Sequence, residues 1–186
     1  LHVVIQAFAK VIRMIPEACL MVVGDERRGN PVDRLYRVWL HGRMRPGVEK
    51  GWLLRRPEYV SDAELTARIA AAEVVVFPYL RRYGSASGVF HRVLAAGRPA
   101  ICSKVPTFAE AFDAWSGSLP DLFPPPGDAR AWSRALIRVL SDGSLRERAA
   151  QASIALGRET SWSAVALAHA RLYRSLLSPA PLPGND

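Results

Sequence analysis

Gly84-Ser85-Ala86-Ser87-Gly88 places small and hydroxyl residues directly ahead of Val89, Phe90, Val93 and Leu94, whose spacing predicts a helix with one apolar stripe. A helix starting there exposes unpaired main-chain N–H groups at the positive end of its dipole, with no bulky side chain to hold an anion away. A phosphate fits that chemistry. The same residues also serve as ordinary helix caps that need no ligand, so these five positions alone leave capping and anion binding both open.

Those residues must be held by the elements around them. Val74 to Phe77 is a β-branched run stopped by Pro78, as in a strand buried on both faces, and Ile101 and Cys102 read as the next strand. Upstream, His2 to Ile15 carries apolar residues at helical spacing and ends at Pro16. Ala18 to Val23 then reads as a strand closed by Gly24, either a tight turn or a residue at the ligand edge of a parallel sheet. Asp25 to Asn30 reads as a loop. Pro31 opens a helix to roughly Leu40 with Leu35, Val38 and Trp39 toward the core, and Gly42 to Gly51 reads as a basic, turn-rich segment. Trp52 to Leu54 forms a short strand in this reading. Ser61-Asp62-Ala63-Glu64 matches a capping box at the head of a helix to about Ala72, which makes Glu64 structural.

Past the centre, Pro106 starts a short helix containing Glu110, Leu119 to Phe123 reads as a last strand, and Asp128 caps a helix. Ala131–Leu140, Leu145–Leu156 and Ser163–Leu177 are amphipathic helices expected to cover the sheet. Helices alternating with strands imply an α/β domain with a parallel sheet and right-handed crossovers. The domain is expected over residues 1–178, with a frayed, Pro-rich tail over 179–186.

The 186 residues carry a net charge of +8, and only Lys10, Lys50 and Lys104 are lysines, so arginine supplies most of it. Such a surface favours anionic partners: sugar nucleotides, acidic lipids or nucleic acid. The arginines form no dense tract with interleaved aromatics, and a dedicated nucleic-acid module is a poor fit. Cys19 and Cys102 lie in apolar runs, where a thiol behaves as a small hydrophobe, and two free cysteines suit a reducing, cytoplasmic setting. No apolar run reaches the roughly 18 residues of a membrane span. Peripheral contact with the inner face of a membrane stays open.

With its flanks, the central stretch resembles the C-terminal, donor-binding domain of the family-four (group 1) retaining glycosyltransferases, which have the GT-B fold. LHVVIQAFAKVIRMIPEACLMVVGD, EYVSDAELTARIAAAEVVVFPY, SASGVFHRVLAAGRPAICSKVPTFAEAF and LFPPPGDARAWSRALIRVL follow in that family's order. The resemblance implies a Rossmann-like, three-layer domain that holds a nucleotide-diphosphate sugar. Its pyrophosphate would lie at Ser85, Ala86, Ser87, Gly88 and Val89 and its base by Tyr59 and Val60, with Gly24, Tyr79, Arg92 and Glu110 as further donor contacts. It also implies metal-independent transfer of a hexosyl group to a saccharide or lipid-linked acceptor, in cell-envelope polysaccharide synthesis. No Asp-x-Asp pair is present to hold a divalent ion on the diphosphate. No cofactor is expected beyond the donor substrate itself.

Two features depart from the family pattern. The glutamates that bracket the donor loop are replaced here by Gly84 and Arg92, and neither offers a carboxylate to sugar hydroxyls. The domain's first strand and the N-terminal GT-B domain also lie outside the sequence, so the chain reads as a fragment or as one half of a split protein. A non-catalytic accessory or nucleotide-binding domain is the competing reading. The catalytic residues are not legible.

Overall fold

The apolar spacing of the first segment produces α1 (His2–Met14), which buries Val3, Val4, Ile5, Ala7, Phe8 and Val11. The computed structural model describes residues 1–24, 31–80 and 87–177. The predicted loop at 25–30, the positions Gly84, Ser85 and Ala86, and the tail over 179–186 fall outside the described residues.

After α1 come β1 (Leu20–Val23), α2 (Pro31–Glu49), β2 (Leu53–Arg56) and α3 (Asp62–Ala71). β3 (Val75–Phe77), α4 (Gly88–Ala95), β4 (Ala100–Cys102) and α5 (Ala109–Trp115) follow, and α6 (Ala129–Ser141), α7 (Gly143–Glu159) and α8 (Trp162–Leu177) complete the order. β1 pairs with β2, and β3 with β4, both in parallel. Strands and helices thus alternate as expected, but the single sheet is replaced by two parallel pairs. One core cluster runs through both pairs, from Leu20 and Leu53 to Phe77 and Ile101.

Several expectations are corrected. α2 continues to Glu49 through the segment read as turns, because Leu40, Met44 and Gly47 recur on one buried face. Gly47 is needed there: a Cβ on it would lie 2.7 Å from the Trp52 ring. Leu35, Val38 and Trp39 are 72%, 64% and 43% exposed rather than in the core. Val75 and Val76 are only half-buried, whereas β4 is buried throughout. Leu119 to Phe123 is no strand. Pro120–Leu122 forms a 3-10 turn that still buries Leu119, Leu122 and Phe123. α8 buries no residue, so its apolar face does not cover the sheet. Cys19 is exposed, and only Cys102 behaves as a buried hydrophobe, its thiol pKa pushed well up by burial.

The helix starts follow the sequence closely. Asp128 accepts from the N–H groups of Arg130 and Ala131 at 2.9 and 3.0 Å, and Asp142 accepts from Leu145 N–H at 2.9 Å. Ser61 Oγ accepts from Glu64 N–H at 3.2 Å, the first half of the capping box. The second half is replaced. Glu64 pairs instead with Arg68 one turn on, Nε to Oε1 at 3.1 Å.

Glycine also sets how α4 is held from behind. A Cβ on Gly157 of α7 would stand 3.0 Å from the main-chain carbon of Leu94, which is fixed backbone. Gly157→Ala is therefore expected to destabilise the fold by about 1–3 kcal/mol, as overpacked cores do. Chemical denaturation of parent and variant checks it.

Candidate functional site

In parallel α/β sheets, ligands bind beyond the carboxyl ends of the strands. β3 ends there in Phe77-Pro78-Tyr79, β4 ends in Cys102-Ser103, and α4 starts at Ser87-Gly88. Four aromatic rings fix this corner. Phe77 meets Phe90 edge-on at 5.5 Å, while Phe108 lies 5.1 Å from both Phe90 and Tyr79. Such pairs contribute about 0.5–1.5 kcal/mol each beyond simple burial. The rings aim Tyr79 at the start of α4, where its hydroxyl and Ser87 Oγ share a hydrogen bond of 3.2 Å.

Ser87 is the N-cap of α4, accepting from Phe90 N–H at a long 3.4 Å. One orphan donor of the helix is thereby used. The next donor, His91 N–H, returns to the Ser87 carbonyl at 3.2 Å. Gly88 and Val89 are exposed, and their N–H groups have no protein acceptor among the described residues. Among the described residues a Cβ on Gly88 would meet nothing within 4 Å, so none of them fills the space over the helix start. Two donors, the positive end of the dipole and that space together suit an anion. The capping reading therefore holds for Phe90 N–H, and two further donors stay open.

The remaining sequence-predicted residues are distributed as follows. Arg92 pairs with Asp62 at the head of α3, with Nη2 to Oδ2 at 2.8 Å. The hydrogen bond and charge of Asp62 raise the Arg92 pKa, and the same contacts with Arg92 hold the Asp62 carboxyl below its ordinary value. This pair ties the Tyr59-Val60 segment, which leads into α3, to the flank of α4. Tyr59 is 82% exposed and Val60 half-buried, so the tyrosine presents a free aromatic face. Glu110 is exposed in the first turn of α5, two residues beyond Phe108. Gly24 lies at the end of the other strand pair, with φ of +125° and its N–H donating to Arg56 O at 3.1 Å. Its positive φ makes it a turn residue in which a side chain would be strained.

Asp62 gives a pH dependence whose sign is fixed. A folded-state carboxyl pKa below the ordinary 3.8 means the pair stabilises fully above that value and is lost as the pH falls through the lowered one. Asp62→Asn is expected to melt slightly below the parent at pH 7, since the pair is exposed to solvent. The gap closes as the pH drops below 3.8. Melting curves at pH 7 and at successively lower pH check this.

Two residues escaped the sequence reading. Ser103 is 1% exposed, its N–H donates to Phe77 O at 3.0 Å, and its hydroxyl has no partner among the described residues. Lys104 follows it, with Nζ 4.4 Å from the centre of the Phe112 ring. Both line an open cleft with Pro106, Phe108 and Asp113. The available signal was their place immediately after a buried strand, at the ligand edge.

The architecture is that of the C-terminal half of a GT-B glycosyltransferase. Residues 1–142 match the family model described as glycosyl transferases group 1, and the chain belongs to that family. It is 29% identical over 180 residues to the phosphatidyl-myo-inositol mannosyltransferase of Mycobacterium tuberculosis, covering 94% of this chain and 43% of the relative. Among solved structures it superposes on the sucrose-phosphate synthase of Thermosynechococcus elongatus with a TM-score of 0.71 at 23% identity, covering 95% of this chain and 43% of that one. The Anabaena protein HepE in complex with UDP and glucose gives a TM-score of 0.73 at 15% identity, covering 96% and 44%. The chain thus spans less than half the length of these relatives. Among the described residues no helix is long and apolar enough to cross a membrane.

Proposed function

We propose that this chain is the donor-binding part of a hexosyltransferase that takes a nucleotide-diphosphate sugar and glycosylates a saccharide or lipid-linked acceptor. The observation that carries this reading is the start of α4, where, among the described residues, Gly88 and Val89 N–H have no protein acceptor and a Cβ on Gly88 meets nothing within 4 Å. The two N–H groups would take the diphosphate and stabilise the charge that develops as the sugar leaves, which is electrostatic catalysis that needs no metal. Ser85 and Ala86 would extend the cradle. Tyr79 would hold Ser87 in place, while the exposed ring of Tyr59 beside Val60 would face the base. Gly24 and Glu110 would lie at the donor edge. In a retaining reaction the departing diphosphate can itself take the acceptor proton, so a carboxylate at Gly84 or Arg92 is not required for chemistry.

The mannosyltransferase and the UDP complex among the relatives support the class of substrate. A cell-envelope glycan is the acceptor class that the mannosyltransferase suggests, with a cytoplasmic site and peripheral membrane contact. The other GT-B domain completes the enzyme in this reading. Calorimetric titration with UDP, GDP and ADP tests it: binding of one with clear preference is expected, and no binding by any would remove the donor role.

A second reading has its own observation. Arg92 stands at one glutamate position and is engaged with Asp62, so that position gives the donor sugar neither a carboxylate nor a free guanidinium. A domain that keeps the nucleotide and has lost sugar selection would bind UDP and UDP-glucose equally, and a further calorimetric titration with UDP-glucose, set against that with UDP, separates the two.

A further inference from the structure

Val32, Leu35, Tyr36 and Trp39 recur at helical spacing, so they form one stripe along the first turns of α2. That stripe does not face the core. Leu40, Met44 and Gly47 make the buried row, whereas among the described residues Val32 is 71% exposed, much like Leu35 and Val38. The two rings of the stripe are held in place. Tyr36 OH and His2 Nδ1 share a hydrogen bond of 3.0 Å, the His2 ring meets Trp39 edge-on at 5.4 Å, and the Tyr36 and Trp39 rings lie 5.7 Å apart. One turn on, Arg43 Cζ stands 4.8 Å from the centre of the Trp39 ring. An apolar patch kept in a fixed arrangement at the surface marks an interaction site.

Charge selects the partner. Residues 31–56, which make α2 and β2, carry seven arginines and lysines against Asp33 and Glu49, so a net +5 of the chain's +8 falls in this segment. Arg34 and Arg45 share the helical row of Val38, four residues before it and seven after, and all three are exposed. The Arg45–Glu49 pair at 2.7 Å is itself open to water, where such pairs separate at little cost. Aliphatic side chains between arginines, with a tryptophan and a tyrosine at the same level, match the boundary of lipid headgroups and acyl chains. Nucleic-acid phosphates would satisfy the arginines but leave Val32, Leu35 and Val38 against water. We propose that the outer face of α2 docks this domain on an anionic phospholipid surface. Val32, Leu35, Val38 and Trp39 enter the acyl boundary, and Arg34, Arg43 and Arg45 meet headgroup phosphates. This names the surface for the peripheral membrane contact proposed above and rests on that reading. Because α2 starts beyond the carboxyl end of β1, docking brings the lipid to the edge where the strands end, and a lipid-linked acceptor arrives on the donor side. α8 also has an exposed apolar face, but its only charged residues are Arg171 and Arg174, so the attraction is weaker there.

Flotation of the chain with lipid vesicles tests the face. Binding is expected to be at least tenfold stronger to vesicles with about one third phosphatidylglycerol than to phosphatidylcholine alone. Leu35→Ser combined with Val38→Ser is expected to lower binding to the anionic vesicles at least tenfold. Arg34→Gln lowers it about fivefold, the factor that one basic residue contributes near an anionic leaflet. These side chains are exposed, so the variants are expected to melt with the parent. Leu172→Ser with Leu176→Ser, on the exposed face of α8, is expected to leave binding unchanged. Equal binding to both vesicles, no binding to either, a Leu35 and Val38 variant that binds like the parent, or a loss produced by the α8 variant instead would overturn the docking face. So would a chain that takes up random duplex DNA and ignores both vesicles. UDP titration of the same variants reads the donor site separately, so a failure there leaves the flotation result standing.

Discussion

Gly88→Asp is expected to lower UDP affinity ten- to hundredfold while leaving the melting temperature unchanged or higher. The two effects separate because the helix start responds to charge in opposite ways. A carboxylate in the first turn of α4 interacts well with the positive end of the dipole, by about 0.3–1 kcal/mol, and replaces a glycine whose backbone entropy disfavours helix. A Cβ at this position meets nothing within 4 Å, so the substitution brings no clash. Against a diphosphate the same carboxylate is a like charge. At about 4 Å and an effective dielectric of about 20 the repulsion is about 4 kcal/mol, and solvent exposure reduces it to one or two factors of ten. Calorimetry gives the affinity and circular dichroism the melting point. An equal UDP affinity in parent and variant would place the diphosphate elsewhere.

The largest stability effect belongs to α6, where it packs along α1. Trp132 on α6 is fully buried, where α6 packs along α1, and its Nε1–H has no partner among the described residues. Trp132→Ala is expected to cost about 3–5 kcal/mol through lost contacts and the cavity left behind. That is a large part of the roughly 5–15 kcal/mol that holds a domain together. For a chain of this size it corresponds to a fall in melting temperature of roughly 6–20 °C. Trp132→Phe keeps a ring in the site and removes the unpaired donor, so it is expected to lose less than half as much. Thermal melts of the three proteins decide, and a Phe variant as damaged as the Ala variant would show that the indole N–H is satisfied.

The sequence alone determined what depends on neighbours along the chain. The caps Ser61, Ser87 and Asp128 stand where their types and the apolar spacing place them, because each cap bonds to an N–H two or three residues away. The alternation of helix and strand and the opening of α4 after a hydroxyl residue were legible for the same reason. The family resemblance was also carried by short motifs in order, and the matching of residues 1–142 agrees with it.

Tertiary structure decided what depends on distant residues. Pro46 and Gly47 read as turn residues, yet α2 runs through them because Leu40, Met44 and Gly47 share one buried face, where the Trp52 ring fills the space a side chain at 47 would need. Arg92 carried no mark of its partner, since Asp62 is brought to it only by the packing of α3 beside α4. An amphipathic pattern states that a helix has an apolar face but not what lies against it, which is why Leu35 and the whole of α8 could not be placed from periodicity. The division of the strands into two pairs is likewise a matter of which edges meet. Local chemistry sets where an element begins and ends, whereas burial and pairing are properties of surfaces that come together only in the fold.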